Sequence, residues 1–141
     1  VDLAPIRAGM ATVVQAAVPE LNCYAFVPAA VEVPCFYSTG PTITYDVTFG
    51  GTDDMDNWIC RVLVSKADDA DGQVLLDDYL SRGDKSVKLA LEGTPGVAQT
   101  LGGVISDLHV RSARNYGFFD HGGEYYYGAE LVVHVIGEPE A

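Results

Sequence analysis

Basic residues are scarce in this chain. Of its 141 residues, eight are Lys or Arg and 20 are Asp or Glu, giving a formal net charge of −12. Binding nucleic acid through its phosphates needs clustered Lys and Arg, so that class is excluded as an expectation. Cysteine is scarce as well. Cys23, Cys35 and Cys60 are an odd set with no Cys-x-x-Cys spacing, which excludes a disulfide framework and a zinc knuckle. All three sit in strand-like contexts, where a free Cys behaves as a small buried hydrophobe. No apolar run approaches the roughly 20 residues a membrane helix needs. The first residues lack the basic n-region and apolar core of a secretory signal, although a processed one would leave no trace; it is the unpaired thiols that make a reducing cytoplasm the expected setting. Catalytic signatures are missing too. There is no Gly-x-Ser-x-Gly elbow, and Gly50-Gly51 and Gly102-Gly103 are bare pairs without the phosphate-cradling patterns around them. Neither an enzyme nor a cofactor is expected.

What is present is a folded domain. An apolar content of 48% over 141 residues supports one domain with a real core, spanning residues 1–141. Ile43, Tyr45, Val47 and Phe49 alternate with polar residues, the period-2 signature of a half-buried strand. Trp58, Cys60, Val62 and Val64 alternate with Ile59, Arg61, Leu63 and Ser65, apolar on most of both faces, as for a strand inside a sheet. Between them, Thr52 to Asn57 reads as an acidic loop carrying Asp53, Asp54 and Asp56.

The remaining elements follow from local signals. Leu3, Ile6, Met10, Val13, Val14 and Ala17 form one helical stripe, with Asp2 as cap, Pro5 in the first turn and Pro19 as stop. Residues 22–27 and 33–37 are short strand candidates near an edge, bracketed by Pro28 and Pro34. Asp68, Asp69 and Asp71 open a second helix with Leu75, Leu76, Tyr79 and Leu80 as its buried stripe, closed by a left-handed Gly83. Asp84 is expected to cap a short third helix bearing Val87, Ala90 and Leu91, ended by Gly93-Thr94-Pro95. Strands over 106–112 and 125–136 then form an antiparallel hairpin with a long exposed tip at 115–124. The predicted class is α+β: a mostly antiparallel sheet flanked by an N-terminal helix and a central helix pair.

Three groups of residues invite chemistry. The acidic run fails as an EF-hand, because counting from Asp53 the sixth and twelfth positions are Trp58 and Val64 where Gly and Glu are needed. Solvated charge is the expected reading. His109 and His134 can face each other across the last hairpin, but no third zinc ligand lies near them in sequence. Phe118, Phe119, Tyr125, Tyr126 and Tyr127 are a dense aromatic group. Docking on another protein and packing over the chain's own helices both fit it.

The order of these pieces resembles the tail terminator proteins of long-tailed bacteriophages, particularly those infecting actinobacteria. The resemblance lies in Leu3-Ala4-Pro5-Ile6-Arg7-Ala8-Gly9-Met10, in Ile43-Thr44-Tyr45-Asp46 leading to Trp58, and in Leu76-Asp77-Asp78-Tyr79-Leu80. It continues through Ser86-Val87-Lys88, Leu101-Gly102-Gly103-Val104, Asp107-Leu108-His109-Val110 and Tyr127-Gly128-Ala129-Glu130. It covers most of the chain except residues 17–41 and 115–124.

The resemblance implies a structural virion protein at the head–tail junction, assembled in the host cytoplasm. Six copies would form a ring capping the tail tube, with the tube protein on one side and the head-completion (stopper) protein on the other. DNA would pass through without specific binding, and the family has no catalytic residues, metal or cofactor to carry over. Asp53, Asp54 and Asp56 would then be a channel- or ring-facing acidic loop, and Phe118 and Phe119 partner-docking aromatics. Residues 46–84 hold ten Asp against three bases, a net of −7, and an acidic wall lets DNA slide past. Rival readings are another head–tail connector or tail tube component, or a small metal-dependent enzyme built on His109, His134 and a nearby carboxylate.

Overall fold

A computed structural model describes residues 2–49, 51–65 and 70–137. The first element, α1 (Leu3–Ala17), is the amphipathic helix that the sequence predicts. Ile6, Met10 and Val14 are its fully buried stripe. Asp2 has the extended backbone of an N-cap but makes no side-chain cap bond, so the start of α1 rests on packing and Pro5.

Strand β1 (Asn22–Tyr24) is shorter than predicted, and β2 (Cys35–Ser38) lies parallel to it. β3 (Thr42–Thr44) stops early: Tyr45, Val47 and Phe49 are 67%, 49% and 114% exposed. Alternation there is real, but beyond Ile43, which packs on the main core, its apolar face stays open among the described residues. The chain instead turns at Asp46, which has a left-handed φ of 54° and whose N–H donates to Asp53 Oδ1.

The largest departure from expectation is β4 (Asp54–Ser65), which starts inside the stretch read as an acidic loop. Its register against β6 (Glu124–Gly137) slips between Met55 and Trp58, and Asn57 is left-handed at φ 51°. That is a β-bulge, one extra residue that resets the strand's phase. Met55 and Trp58 are three apart, yet both are fully buried in the main core. Without the bulge they would point to opposite faces.

Two helices follow. In α2 (Ala70–Leu80), Leu76 and Tyr79 are buried, and Asp71 lies in the first turn; Asp68 and Asp69 lie outside the described residues. Gly83 does not close α2 in a left-handed conformation. Ser81 Oγ donates to Asp78 O at the helix end and accepts from Gly83 N. The cap of α3 (Val87–Glu92) is Ser86 rather than Asp84, its Oγ accepting from Leu89 N at 3.1 Å. Gly93, at φ 74°, ends that helix as the sequence predicts.

The last two strands, β5 (Ile105–His121) and β6, form a long antiparallel ribbon. The predicted ten-residue tip is strand almost throughout, and the turn itself is the pair Gly122-Gly123, at φ 64° and 86°. Such two-residue turns need positive φ, which Gly supplies without strain.

The six strands make one sheet in the order β1-β2-β4-β6-β5, with β3 also paired to β4. All pairings but β1–β2 are antiparallel. Buried residues of all three helices join Trp58, Cys60, Val62, Leu131, Val133 and Val135 in one core. The fold is therefore α+β, a mostly antiparallel sheet flanked by the N-terminal helix and the central helix pair. A second, smaller cluster of Cys35, Tyr37, Leu63 and Tyr126 is separate from it. Because Cys35 and Tyr37 flank Phe36 of the main core, this cluster belongs to the other face of the sheet.

Candidate functional site

Strand β4 determines what happens to the predicted acidic loop. Asp53, 6% exposed, is not a solvated carboxylate. Asp54 accepts from His134 Nε2, and Asp56 pairs with Arg111 Nη1 at 3.0 Å. Arg111 Nη2 also donates to His134 Nδ1 at 3.1 Å, so the imidazole hydrogen sits on Nε2, toward Asp54. Asp54 and Asp56 are thus built into the sheet's own side-chain network, while Asp53 accepts from Asp46 N in the turn before β4. Solvated acid lies elsewhere: Asp71, Asp77 and Asp78 on the outward side of α2, and Asp84 after it, are all exposed.

His109 and His134 are register partners in the ribbon, as the sequence reading allowed. Their side chains take different carboxylates. His109 Nδ1 lies 3.0 Å from Glu92 Oε2, while His134 engages Asp54. Glu92 also accepts from Lys88 and from Val110 N at 2.9 Å, so it pins α3 to the edge strand β5. Burial alone would raise the Glu92 pKa; the hydrogen bonds from Lys88 and Val110 outweigh it and hold the carboxyl below its ordinary value. Among the described residues, no group of three or more His, Cys, Asp or Glu comes together as metal ligands.

A network that the sequence reading did not single out occupies the second face. Arg61 and Glu130 face each other in the β4–β6 register, with Arg61 Nε 3.0 Å from Glu130 Oε2. Glu130 is 7% exposed and also accepts from Asn115 Nδ2 at 2.6 Å. Burial pushes its carboxyl up, but the Asn115 and Arg61 hydrogen bonds and the charges of Arg61 and Arg114 win, and its pKa is lowered. Tyr37 is raised by burial, although Arg61 opposes the shift. A sequence signal existed: Arg61 is the lone charge within Trp58–Val64, and Glu130 the lone charge within Ala129–Val133. Isolated opposite charges in two apolar strands are best placed when they meet.

The aromatic pair divides. Phe119 is half-buried, packs on the Cys35–Tyr37–Leu63–Tyr126 cluster, and lies 5.0 Å from Arg61 Cζ in a cation–π contact. It packs within the chain, whereas the docking expectation had placed it with Phe118. Phe118 points away, 48% exposed, its ring set edge-on against Tyr127 at 5.6 Å. Tyr116 and Tyr125 nearby are 57% and 64% exposed.

The three thiols match the expectation of buried, unpaired cysteines only in part: Cys35 and Cys60 are buried and Cys23 is half-buried. Burial pushes Cys23 and Cys35 up to about 12 and raises Cys60 further, so none is a nucleophile near neutral pH.

Among the described residues, no helix is long and apolar enough to cross a membrane. No known protein-family model matches the sequence, and no curated protein matches it either.

Proposed function

We propose that this chain is a structural virion protein of the tail-terminator kind, forming a closed ring that caps the tail tube and joins it to the head-completion protein. One observation carries the reading. Large apolar side chains are exposed at both ends of the long strand β6. Phe118, Tyr116 and Tyr125 mark the end where β6 begins, whereas Tyr45, Val47 and Phe49 follow β3, which pairs with β4 near Asp54, the register partner of Ile136. A ring built head to tail needs two different patches on each subunit, and a capping ring also needs surface for the elements above and below it. Aromatic residues are the usual anchors of such contacts.

Charge supports the same reading. A net of −12 disfavours adhesion to phosphates, which a conduit for DNA requires. A cluster of acid suited to a channel wall is the exposed face of α2, with Asp71, Asp77 and Asp78, in place of Asp53, Asp54 and Asp56. Electron microscopy of the purified protein, alone and mixed with tail tubes, is the test. A single ring, six subunits by the family resemblance, seated on tube ends is expected. Unlimited growth into long tubes would make the chain a tube subunit, and two-fold dimers would end the ring reading altogether.

A further inference from the structure

We propose that the outer part of the β5–β6 ribbon, residues 119–126, is a strap that lifts from the sheet as a unit and uncovers the small second core. This inference does not depend on the ring reading.

The hinge is visible in the backbone. Gly117 and Gly128 are register partners, so at that level neither strand of the ribbon carries a side chain. Gly117 has φ 151°, and Asn115 just before it has φ 57°, where the register slips between Arg114 and Gly117. Gly128 is required for a second reason: a Cβ there would meet Val62 O at 2.1 Å. Pairing of β6 with β4 ends at Ser65 and Tyr127. Past that point the two ribbon strands bond mainly to each other, and the strap bends over the second face.

The fastenings are the buried Tyr126 and half-buried Phe119, which pack in the second cluster, and a few polar contacts. The Phe119 ring sits on the Arg61 guanidinium, and His121 joins Tyr37 and the 25–34 segment. Tyr37 Oη lies 3.2 Å from His121 Nδ1, and His121 Nε2 donates to Pro28 O. Beneath lie Cys35, Tyr37 and Leu63, each fully buried. The main core holds far more apolar residues, drawn from three helices and the sheet's other face. A small cluster with its own hinge is the natural unit for opening below global unfolding.

The two buried thiols report the two cores separately. Cys35 belongs to the second cluster and Cys60 to the main core. The experiment follows labelling of each by dithiodipyridine in the full-length folded protein, with urea added below the unfolding transition. Strap opening requires Cys35 to react faster than Cys60 and with a weaker urea dependence. His121→Ala removes two hydrogen bonds, so Cys35 labelling should rise by about tenfold or more while Cys60 is unchanged. Tyr37→Phe keeps the ring and deletes one bond, so a smaller rise of about threefold is expected, and this variant decides if His121→Ala does not fold. Equal rates and equal urea dependence at both thiols in the wild type would overturn the strap. So would a Cys35 rate that neither substitution changes.

Discussion

Replacing Glu130 by Gln tests whether the second-face network is a stabilising unit or a by-product of strand pairing. The substitution keeps volume and one carbonyl oxygen but removes the charge that Arg61 faces at 3.0 Å. Arg61 has a side-chain exposure of 30%, so solvent softens the loss without cancelling it. A fully buried pair broken on one side costs about 3–5 kcal/mol, and an exposed one about 0–1 kcal/mol. With one partner buried and the other one-third open, a loss of about 1–3 kcal/mol at pH 7 is expected.

The pH dependence supplies the discriminating result. Glu130 is held below its ordinary value in the folded protein, so the stability it adds is present above about pH 4.3, the free carboxyl value. That stability is lost as pH falls through the lowered folded value, where the unfolded chain already binds the proton. Urea unfolding of both proteins at pH 7 and near pH 3 should therefore show a gap that narrows in acid, with the variant nearly unchanged by this group. A gap below about 0.5 kcal/mol at pH 7, or one of the same size in acid, would refute the reasoning.

The remaining predictions concern the residues on which a docking or channel role was first placed. Lysine at Asp53, Asp54 and Asp56 together is expected to destabilise the protein by several kcal/mol in thermal unfolding, because it buries charge at Asp53 and sets like charge beside Arg111; an unchanged melting temperature would return these residues to a solvated loop. Lysine at Asp71, Asp77 and Asp78 should leave folding intact, and in assembled particles it should slow DNA ejection in a salt-dependent way. Normal ejection would take α2 off the channel wall. Phe118→Ala should cost less than about 1 kcal/mol yet weaken assembly on tail or head partners, while Phe119→Ala should cost about 2 kcal/mol through lost packing and the Arg61 contact. Equal stability losses from the two would show that the ribbon's faces are not distinguished in this way.

Much of the architecture is legible in local pattern. Helix α1 is plain because its stripe of Ile6, Met10 and Val14 is long enough to exclude other periods, and the second half of β4 because Trp58 to Val64 alternates without interruption. The ribbon tip misleads for a physical reason. Gly and Asn near Asn115 and Gly117 signal a loop, yet here they make a bend within a paired strand, while Gly122-Gly123 alone makes the turn. Tyr45, Val47 and Phe49 mislead the other way, since alternation marks a surface that can be buried and says nothing about whether a neighbour arrives.

The fate of the acidic residues shows where local reading stops. Asp53, Asp54 and Asp56 are the same residue type as Asp71, Asp77 and Asp78, and the first set, like Asp71, lies among turn-prone or helix-opening residues. What separates them is a bulge at Asn57, which keeps the chain in the sheet and sets Asp54 and Asp56 against His134 and Arg111, partners 80 and 55 residues away. The same holds for Arg61 and Glu130, whose 69-residue separation hides a contact that the register makes unavoidable. A charge standing alone in an apolar strand shows that a partner must exist. Only strand register says which one, and Asp71, Asp77 and Asp78, on a helix, stay exposed without such a partner strand.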